Sequence, residues 1–398
     1  SAGINILIDK FLPKLDWLNQ LKWRGSWSVV GNPIPNTLFA RQSYDFSNGT
    51  VNTRPPLFDD PKPETTTSFE TGVDVWMFDN KFNFDLTYYN SVLRNQFLNV
   101  TTANGESKPV NTGKIRNYGL EFSAAYRWNI GRDWRWQTGF NIAWNDNRIL
   151  ETYKTESGTP YIVEMGTNAF KVKYIEGGRY GDIYVNSFVR DENGHIKISG
   201  ADDYETAVPQ MESGEYKTYV GNTASPVTLG WNNTLSWKNL TLYFLIDGRV
   251  GGKVMSLTEP DLDLFGLSER SAQERLNGER VTQNGKEYIL KELPDGSGNK
   301  VSVENYYMTI GASPMEDYVY NATNFRVRDI SLSYNFNNLF GKNRGLTAQF
   351  SVKNAFFIYK DSPVDPDISV SAANGFSGID CYSLPTTRSY ALTLKFNF

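Results

Sequence analysis

TRSYALTLKFNF, residues 387–398, alternates apolar and polar side chains without a break and ends on an aromatic. Successive side chains of a strand point to opposite faces. Tyr390, Leu392, Leu394, Phe396 and Phe398 therefore share one face, and Ser389, Ala391, Thr393, Lys395 and Asn397 the other. One face suits hydrocarbon and the other water. A half-buried strand of a soluble sandwich carries the same signature, so the choice between membrane barrel and soluble β-protein rests on the rest of the chain.

Composition narrows the class. The 398 residues are 39% hydrophobic with a mean hydropathy of −0.47, and no run of about 18 apolar residues is present to span a bilayer as a helix. Aromatics make up 14%, with 10 Trp, 23 Tyr and 24 Phe beside 33 Gly, a balance that favours strands with aromatic anchoring. A net charge of −4 and a pI near 5.4 argue against nucleic acid as a partner, because a polyanion needs a basic face. The single Cys381 excludes an internal disulfide and reads as a loop thiol. Ser1 is followed by no basic and apolar leader pattern, so the chain is expected to be either a mature form or a piece of something longer.

Period-2 stretches recur at residues 22–30, 66–78, 81–93, 117–128, 133–146, 228–238, 239–250, 324–336, 345–357 and 387–398, which predicts ten strands. In FNFDLTYY, Phe82, Phe84, Leu86 and Tyr88 face one way, against Asp85 and Thr87. In WRWQTGFNIAW, Trp134, Trp136, Phe140, Ile142 and Trp144 oppose Arg135, Gln137 and Asn141. Most of these runs exceed the usual soluble strand and suit a tilted membrane strand of about nine to eleven residues. The segment 1–21 is expected to be a connection, with FLPKLDWLNQLK (11–22) a short turn or helix too charged to insert.

The connections alternate. Tight turns fall at Asp79-Asn80, Asn129 to Arg132, Lys238-Asn239 and Asn337 to Arg344, and long ones at 31–65, 94–116, 147–227, 251–323 and 358–386. An outer-membrane barrel segregates short periplasmic turns from long extracellular loops in this way, whereas a sandwich has no reason to. Trp23, Trp27, Trp76, Trp128, Trp134, Trp136, Trp144, Trp231 and Trp237 all fall in predicted strands, several near strand ends where an interfacial girdle belongs; Trp17 alone lies outside. The reading is an all-β, antiparallel transmembrane β-barrel.

Several stretches go beyond architecture. KPETTTSFETGVDVWMFDNKFNFDLTYYNSVLRNQFLNV (62–100) resembles the SusC-like (SusC/RagA) branch of the TonB-dependent outer-membrane transporters. NTGKIRNYGLEFSAAY (111–126) resembles that family's N-x-G-x-I-x-N-x-G strand entry, and FRVRDISLSYNF (325–336), FSVKNAFFIYKDSPVDPDIS (350–369) and YSLPTTRSYALTLKFNF (382–398) its last strands in order. SERSAQERLNG (268–278) and KVSVENYY (300–307) resemble its penultimate long loop. The resemblance spans nearly the whole chain.

It implies a barrel of about 22 strands, of which residues 22–398 would be the carboxyl-terminal part, with the TonB box, plug and first strands outside this chain. A self-contained ten-stranded barrel stays open as the alternative. By resemblance, the whole protein imports oligosaccharides or peptides, with a SusD-like surface lipoprotein over its mouth and the TonB complex acting on the plug. The competing reading is a structural or adhesive barrel that uses its loops for contact. The same resemblance implies that barrel-assembly machinery reads the last strand through Leu392, Leu394, Phe396 and Phe398.

No individual ligand contact is legible. Tyr153, Tyr161, Tyr180, Tyr184, Tyr204, Tyr216 and Tyr219 lie in one long loop, where each could stack on a sugar ring but more simply holds the loop together. Asp202-Asp203, Asp261 with Asp263, and Asp365 with Asp367 raise loop calcium, yet none has EF-hand spacing and solvated or structural roles account for them; no cofactor is expected. His195, in DENGHIK, reads as a hairpin tip, and one His precludes a multi-His site within this chain. Gly251-Gly252-Lys253 is followed by Val254 where a phosphate loop needs Ser or Thr. Catalysis is not expected.

Overall fold

The computed structural model describes residues 1–33, 44–45, 52–53, 62–101, 107–155, 157–212, 214, 216–312, 316–341, 344–367, 369–370 and 377–397. Its main element is an antiparallel sheet of eleven strands. In chain order these are β1 (Ala2–Leu7), β2 (Leu18–Asn32), β3 (Glu64–Met77), β4 (Phe82–Thr101), β5 (Ser107–Ile130), β6 (Trp134–Glu151), β7 (Val227–Trp237), β8 (Leu240–Val250), β9 (Asn324–Phe336), β10 (Gly345–Lys360) and β11 (Ser389–Asn397). Each pairs with the next, so the sheet is an unbroken up-and-down meander.

Register turns the alternation of each strand into two continuous faces. One row runs Trp128, Trp136, Leu235, Leu242, Leu332, Phe350, Leu392, every member apolar. A row on the opposite face runs Asp74, Asp85, Ser123, Asn141, Gly230, Asp247, Arg326. Leu86, Phe140, Trp231, Leu332, Phe350 and Leu392 leave their rings and branches exposed on the apolar face, which in water would be a very large unsatisfied patch and in lipid is solvated. At the short-turn rim, Trp134 stacks on Trp237 with ring centroids 5.7 Å apart.

Tryptophans roof polar residues on the apolar face: Trp23 Nε1 donates to Thr71 Oγ1 at 3.0 Å, and two further such pairs sit side by side. Thr138 and Asn233 are cross-strand partners. Trp231 Nε1 donates to Thr138 Oγ1 at 2.9 Å, and Trp136 Nε1 donates to Asn233 Oδ1 at 3.0 Å. Asn233 is thereby only 2% exposed.

The structure corrects the sequence reading in two places. Segment 1–21 is not simply a connection, because it opens with β1, whose six residues pair with Lys22 to Trp27 and whose alternation is too short to stand out. A 3₁₀ turn at Ile8–Phe11 then leads to β2. The expected loop 94–116 is largely strand: β4 runs to Thr101 and β5 starts at Ser107. Asn95, at φ 57°, sits in a register shift that breaks the period-2 pattern, which is why the continuation is hidden. Of the loop 31–65, residues 34–61 lie outside the described set apart from a two-residue pairing of Tyr44–Asp45 with Asn52–Thr53.

The long connections 147–227, 251–323 and 358–386 fold together over one rim. They contribute a four-stranded sheet (Thr218–Asn222, Asp182–Val185, Phe170–Tyr174, Val163–Gly166 in spatial order), a three-stranded sheet (Glu279–Gln283, Lys286–Glu292, Lys300–Ser302) and a smaller one joining Val319–Asn321, Lys253–Ser256 and Ile379–Asp380. Three helices, α1 (Thr258–Leu264), α2 (Glu269–Asn277) and α3 (Val303–Ala312), complete this cap. Phe170, Ile183, Met255, Val301, Ile310 and Ile379 share one buried cluster with Ile115 and Ile149 of the wall. The loops are thus a packed body with its own core, anchored on β5 and β6.

Candidate functional site: a polar wall under a folded cap

Glycines on the polar face let side chains lie flat along the wall. A Cβ on Gly119 would sit 2.4 Å from the Trp144 carbonyl oxygen and 2.6 Å from the Tyr89 hydroxyl, so the Tyr89 ring rests across Gly119. Asn145 Nδ2 donates to that hydroxyl and fixes the ring. At Gly72 a Cβ would meet the Leu86 carbonyl oxygen at 2.8 Å, and Arg24 lies over the gap. Asn111, which opens the N-x-G motif, donates to the carbonyl oxygens of Lys62 and Asn95 and accepts from Lys62 N, fastening the start of β3 to β5.

Charge on this face is cross-linked. Arg24 Nη1 lies 2.5 Å from Asp85 and 3.1 Å from Asp74, its Nη2 donates to Asp85 at 2.9 Å and to Thr87, and Lys22 also pairs with Asp74. A second network lies under the cap. A bulge in β9 carries Arg328 to the same face as Arg326, which is 1% exposed. Arg328 donates to Asp247 at 2.7 Å and to Asp367 at 2.6 Å; Arg326 pairs with Asp365 at 3.3 Å and with Asp367, and Arg249 lies 3.2 Å from Asp367. Burial pushes the Asp367 carboxyl up, but the hydrogen bond from Arg328 and the three guanidinium charges outweigh it and hold the group below the usual carboxylate range.

The three acidic pairs raised for calcium are therefore placed as follows. Asp365 and Asp367 are bound to arginines. Asp263 accepts from Arg270, Ser268 and the Tyr318 hydroxyl, while Asp261 sits in α1. Asp203 Oδ1 accepts the Glu205 amide, and Asp202 accepts from Gln283 through its carbonyl oxygen. Among the described residues no three carboxylate, His or Cys side chains converge on one point. His195 lies in the turn expected of it, with its amide donating to Asp191 Oδ1. Cys381 is a free thiol. Gly251 and Gly252 form a positive-φ turn that leads Lys253 into a cap strand.

The loop tyrosines sort into scaffold and surface. Tyr174 stacks on Tyr180 at 4.7 Å, Tyr153 meets Tyr161 edge-on at 6.4 Å, and Tyr204 leans on Tyr288 at 6.1 Å. Tyr184 and Tyr219 instead lie on the four-stranded sheet, on the face opposite its buried residues Val172 and Ile183, and the buried Tyr216 packs beside Lys171. Tyr184 and Tyr219 are neighbours at 5.4 Å. Lys173 Nζ lies 5.5 Å from the Tyr184 ring centre and Lys171 Nζ 5.2 Å from that of Tyr216. Sequence reasoning named the tyrosines but missed the lysines, because only the pairing of separate strands brings Lys171 and Lys173 beside Tyr184, and Lys171 meets Tyr216 from a segment further along the chain. The surroundings are acidic: residues 147–227, 251–323 and 358–386 together carry 16 Lys and Arg against 28 Asp and Glu.

In the terminal strand, Tyr390, Leu392, Leu394 and Phe396 lie on the exposed apolar face, opposite Val352, Phe350, Ala348 and Leu346 of β10. Phe398 lies outside the described residues.

Residues 6–355 match the family model described as TonB dependent receptor-like, beta-barrel. The TonB-dependent receptor SusC of Bacteroides thetaiotaomicron is 24% identical over 428 residues, covering 100% of this chain and 39% of the relative. The TonB-dependent receptor P3 of Formosa agariphila is 24% identical over 427 residues, covering 99% and 41%. Among solved structures, the RagAB peptide transporter superposes with a TM-score of 0.71 at 16% identity, covering 100% of this chain and 43% of that one. The open-open state of the RagAB peptide importer gives 0.73 at 18%, covering 100% and 42%. The chain spans about two-fifths of the length of the curated relatives it matches.

Proposed function

Because this chain belongs to the TonB-dependent receptor-like β-barrel family, and so to the outer membrane, we propose that it supplies wall and cap to a SusC-like importer. That importer would carry oligosaccharides or peptides too large for simple pores. The observation that carries this reading is the pairing of an apolar outer face with a polar inner face, where Arg24 and Tyr89 lie flat over glycines and charges are cross-linked, beneath one packed cap. Such a wall suits a lumen occupied by a moving polar body, and such a cap suits capture at the cell surface. On this reading the short turns face the periplasm and the cap faces outward.

The partners in this proposal are a SusD-like surface lipoprotein over the cap, the TonB complex acting through the remainder of the protein, and barrel-assembly machinery reading Leu392, Leu394, Phe396 and Phe398. The cargo it moves leaves chemically unchanged, so no catalytic residue is assigned.

Uptake of labelled oligosaccharide and peptide mixtures by cells with and without the full-length gene tests the reading. Import that needs both the gene and an energised inner membrane supports it. Cells that lose surface adhesion, with no change in uptake of any pool, would favour the structural barrel instead.

A further inference from the structure

One row crosses all four strands of the cap sheet: Gly166, Lys171, Tyr184, Tyr219. Adjacent strands are spaced by about 4.8 Å, so the row extends for about 14 Å. A register shift between Ile183 and Tyr184, with Gly221 at φ 124°, brings Tyr219 rather than Val220 opposite Tyr184. The Tyr219 ring is 52% exposed yet held in place, because its hydroxyl donates to Asp182 Oδ1 at 3.3 Å. Asp182 is itself fixed by Asn222 Nδ2 at 2.9 Å and the Arg179 amide at 2.8 Å. An exposed aromatic ring already locked in one rotamer offers contact area at little further entropic cost.

Charge along the row is unusual for this cap. Lys173 is paired with Glu164 at 2.9 Å. Lys171 has no carboxylate partner among the described residues and leans only on the Tyr216 ring. An ammonium group with no carboxylate partner among the described residues, in a strongly acidic body and beside a fixed aromatic face, calls for a ligand with an isolated negative charge and a flat apolar face. A dense polyanion would be repelled by the surrounding carboxylates.

We propose that the Lys171–Tyr184–Tyr219 row is a subsite for an acidic saccharide, with a sugar ring stacked on Tyr219, bordered by Tyr184, and the carboxylate of a uronate ring on Lys171. Sugar hydroxyls at the ring edge meet the phenol oxygens. This rests on the import reading and narrows its cargo to sparsely carboxylated glycans. A peptide ending in an aromatic residue and a free carboxylate is the rival occupant.

The test uses the purified full-length protein, with a galactose trisaccharide carrying a single galacturonate ring, neutral galactotriose and an aromatic-ended tripeptide as calorimetric probes, alongside uptake of the same labelled probes by cells. The mono-uronate trisaccharide is expected to bind tightest. Tyr219→Ala should weaken it by about tenfold or more, and Lys171→Gln should erase its advantage over galactotriose without weakening galactotriose. Lys171→Arg should retain the preference, which separates charge from folding. Equal binding of acidic and neutral sugars by the unaltered protein, tighter binding of the tripeptide, or no effect of Lys171→Gln would overturn the subsite. If cells still import other glycans or peptides while the subsite fails, the import reading survives it; if no probe of any class is imported, that reading falls separately.

Discussion

Nη2 of Arg328 lies 2.6 Å from Asp367, joining a bulged strand of the wall to the turn that begins the last connection of the cap. Arg326 and Arg249 converge on the same carboxylate, and Arg326 is buried. Removing one member of a buried ion network leaves its partners charged and unpaired, a loss of about 3 kcal/mol. Asp367→Asn should therefore lower the thermal unfolding midpoint of the detergent-solubilised protein and open residues 361–386 to protease, whereas Lys360→Gln should do neither.

The same carboxylate gives a pH dependence of defined sign. Its folded pKa lies below the usual carboxylate value, so its contribution is complete above the unfolded pKa of about 4 and is lost as pH falls through the lower, folded value. Protease sensitivity of residues 361–386 should be flat from neutral pH down to about 5 and rise only below about 4. A transition near pH 6 would show that some other group controls this connection.

Gly119 faces a backbone oxygen as well as the Tyr89 ring, so no movement of the ring alone makes room for a methyl group. Gly119→Ala should cost about 1–3 kcal/mol and lower the folded, heat-modifiable fraction. Tyr89→Ala in the same chain should restore only part of it. Full recovery by Tyr89→Ala would mean that the clash with the Trp144 carbonyl relaxes freely.

The wall was legible because its physics is local. Phe82, Phe84, Leu86 and Tyr88 declare their face within seven residues, and the partner strands repeat the pattern in register. Where one residue breaks the period, as Asn95 does, the alternation beyond residue 93 no longer marks a strand and the continuation resembles a loop. The cap was illegible for the opposite reason. Ile183, Met255, Ile310 and Ile379 meet in one core from segments tens of residues apart, and nothing local marks them as partners. Likewise, nothing local marks Asp365 and Asp367 as arginine partners, because Arg326 and Arg328 lie about forty residues upstream and Arg249 more than a hundred.

Trp136 and Asn233 form a bond that the lipid-facing surface cannot replace with water. Asn233→Ala should cost about 1–3 kcal/mol by leaving the indole N–H unpaired in an apolar setting. Trp136→Phe combined with Asn233→Leu removes both polar groups and should be milder than the sum of the single changes in a double-mutant cycle. Strict additivity of the two changes would show that the bond contributes nothing.

Phe396 packs near Phe340 of the turn between β9 and β10, with ring centroids 6.1 Å apart, and lies on the apolar face opposite Leu346. Lys395 on the other face pairs with Thr347 and points away from lipid. If the terminal strand serves as the assembly signal, the apolar side of β11 is the side that is read. Phe396→Ala and Leu392→Ala should then reduce the amount of protein reaching the cell surface severalfold, while Lys395→Ala should leave it close to normal. Surface labelling after matched expression measures this directly. A stability effect alone would lower the unfolding temperature of the protein that does assemble without changing how much assembles, so the two quantities have to be read together. Equal surface levels for Phe396→Ala and Lys395→Ala would remove the signal role and leave Phe396 as an ordinary girdle residue.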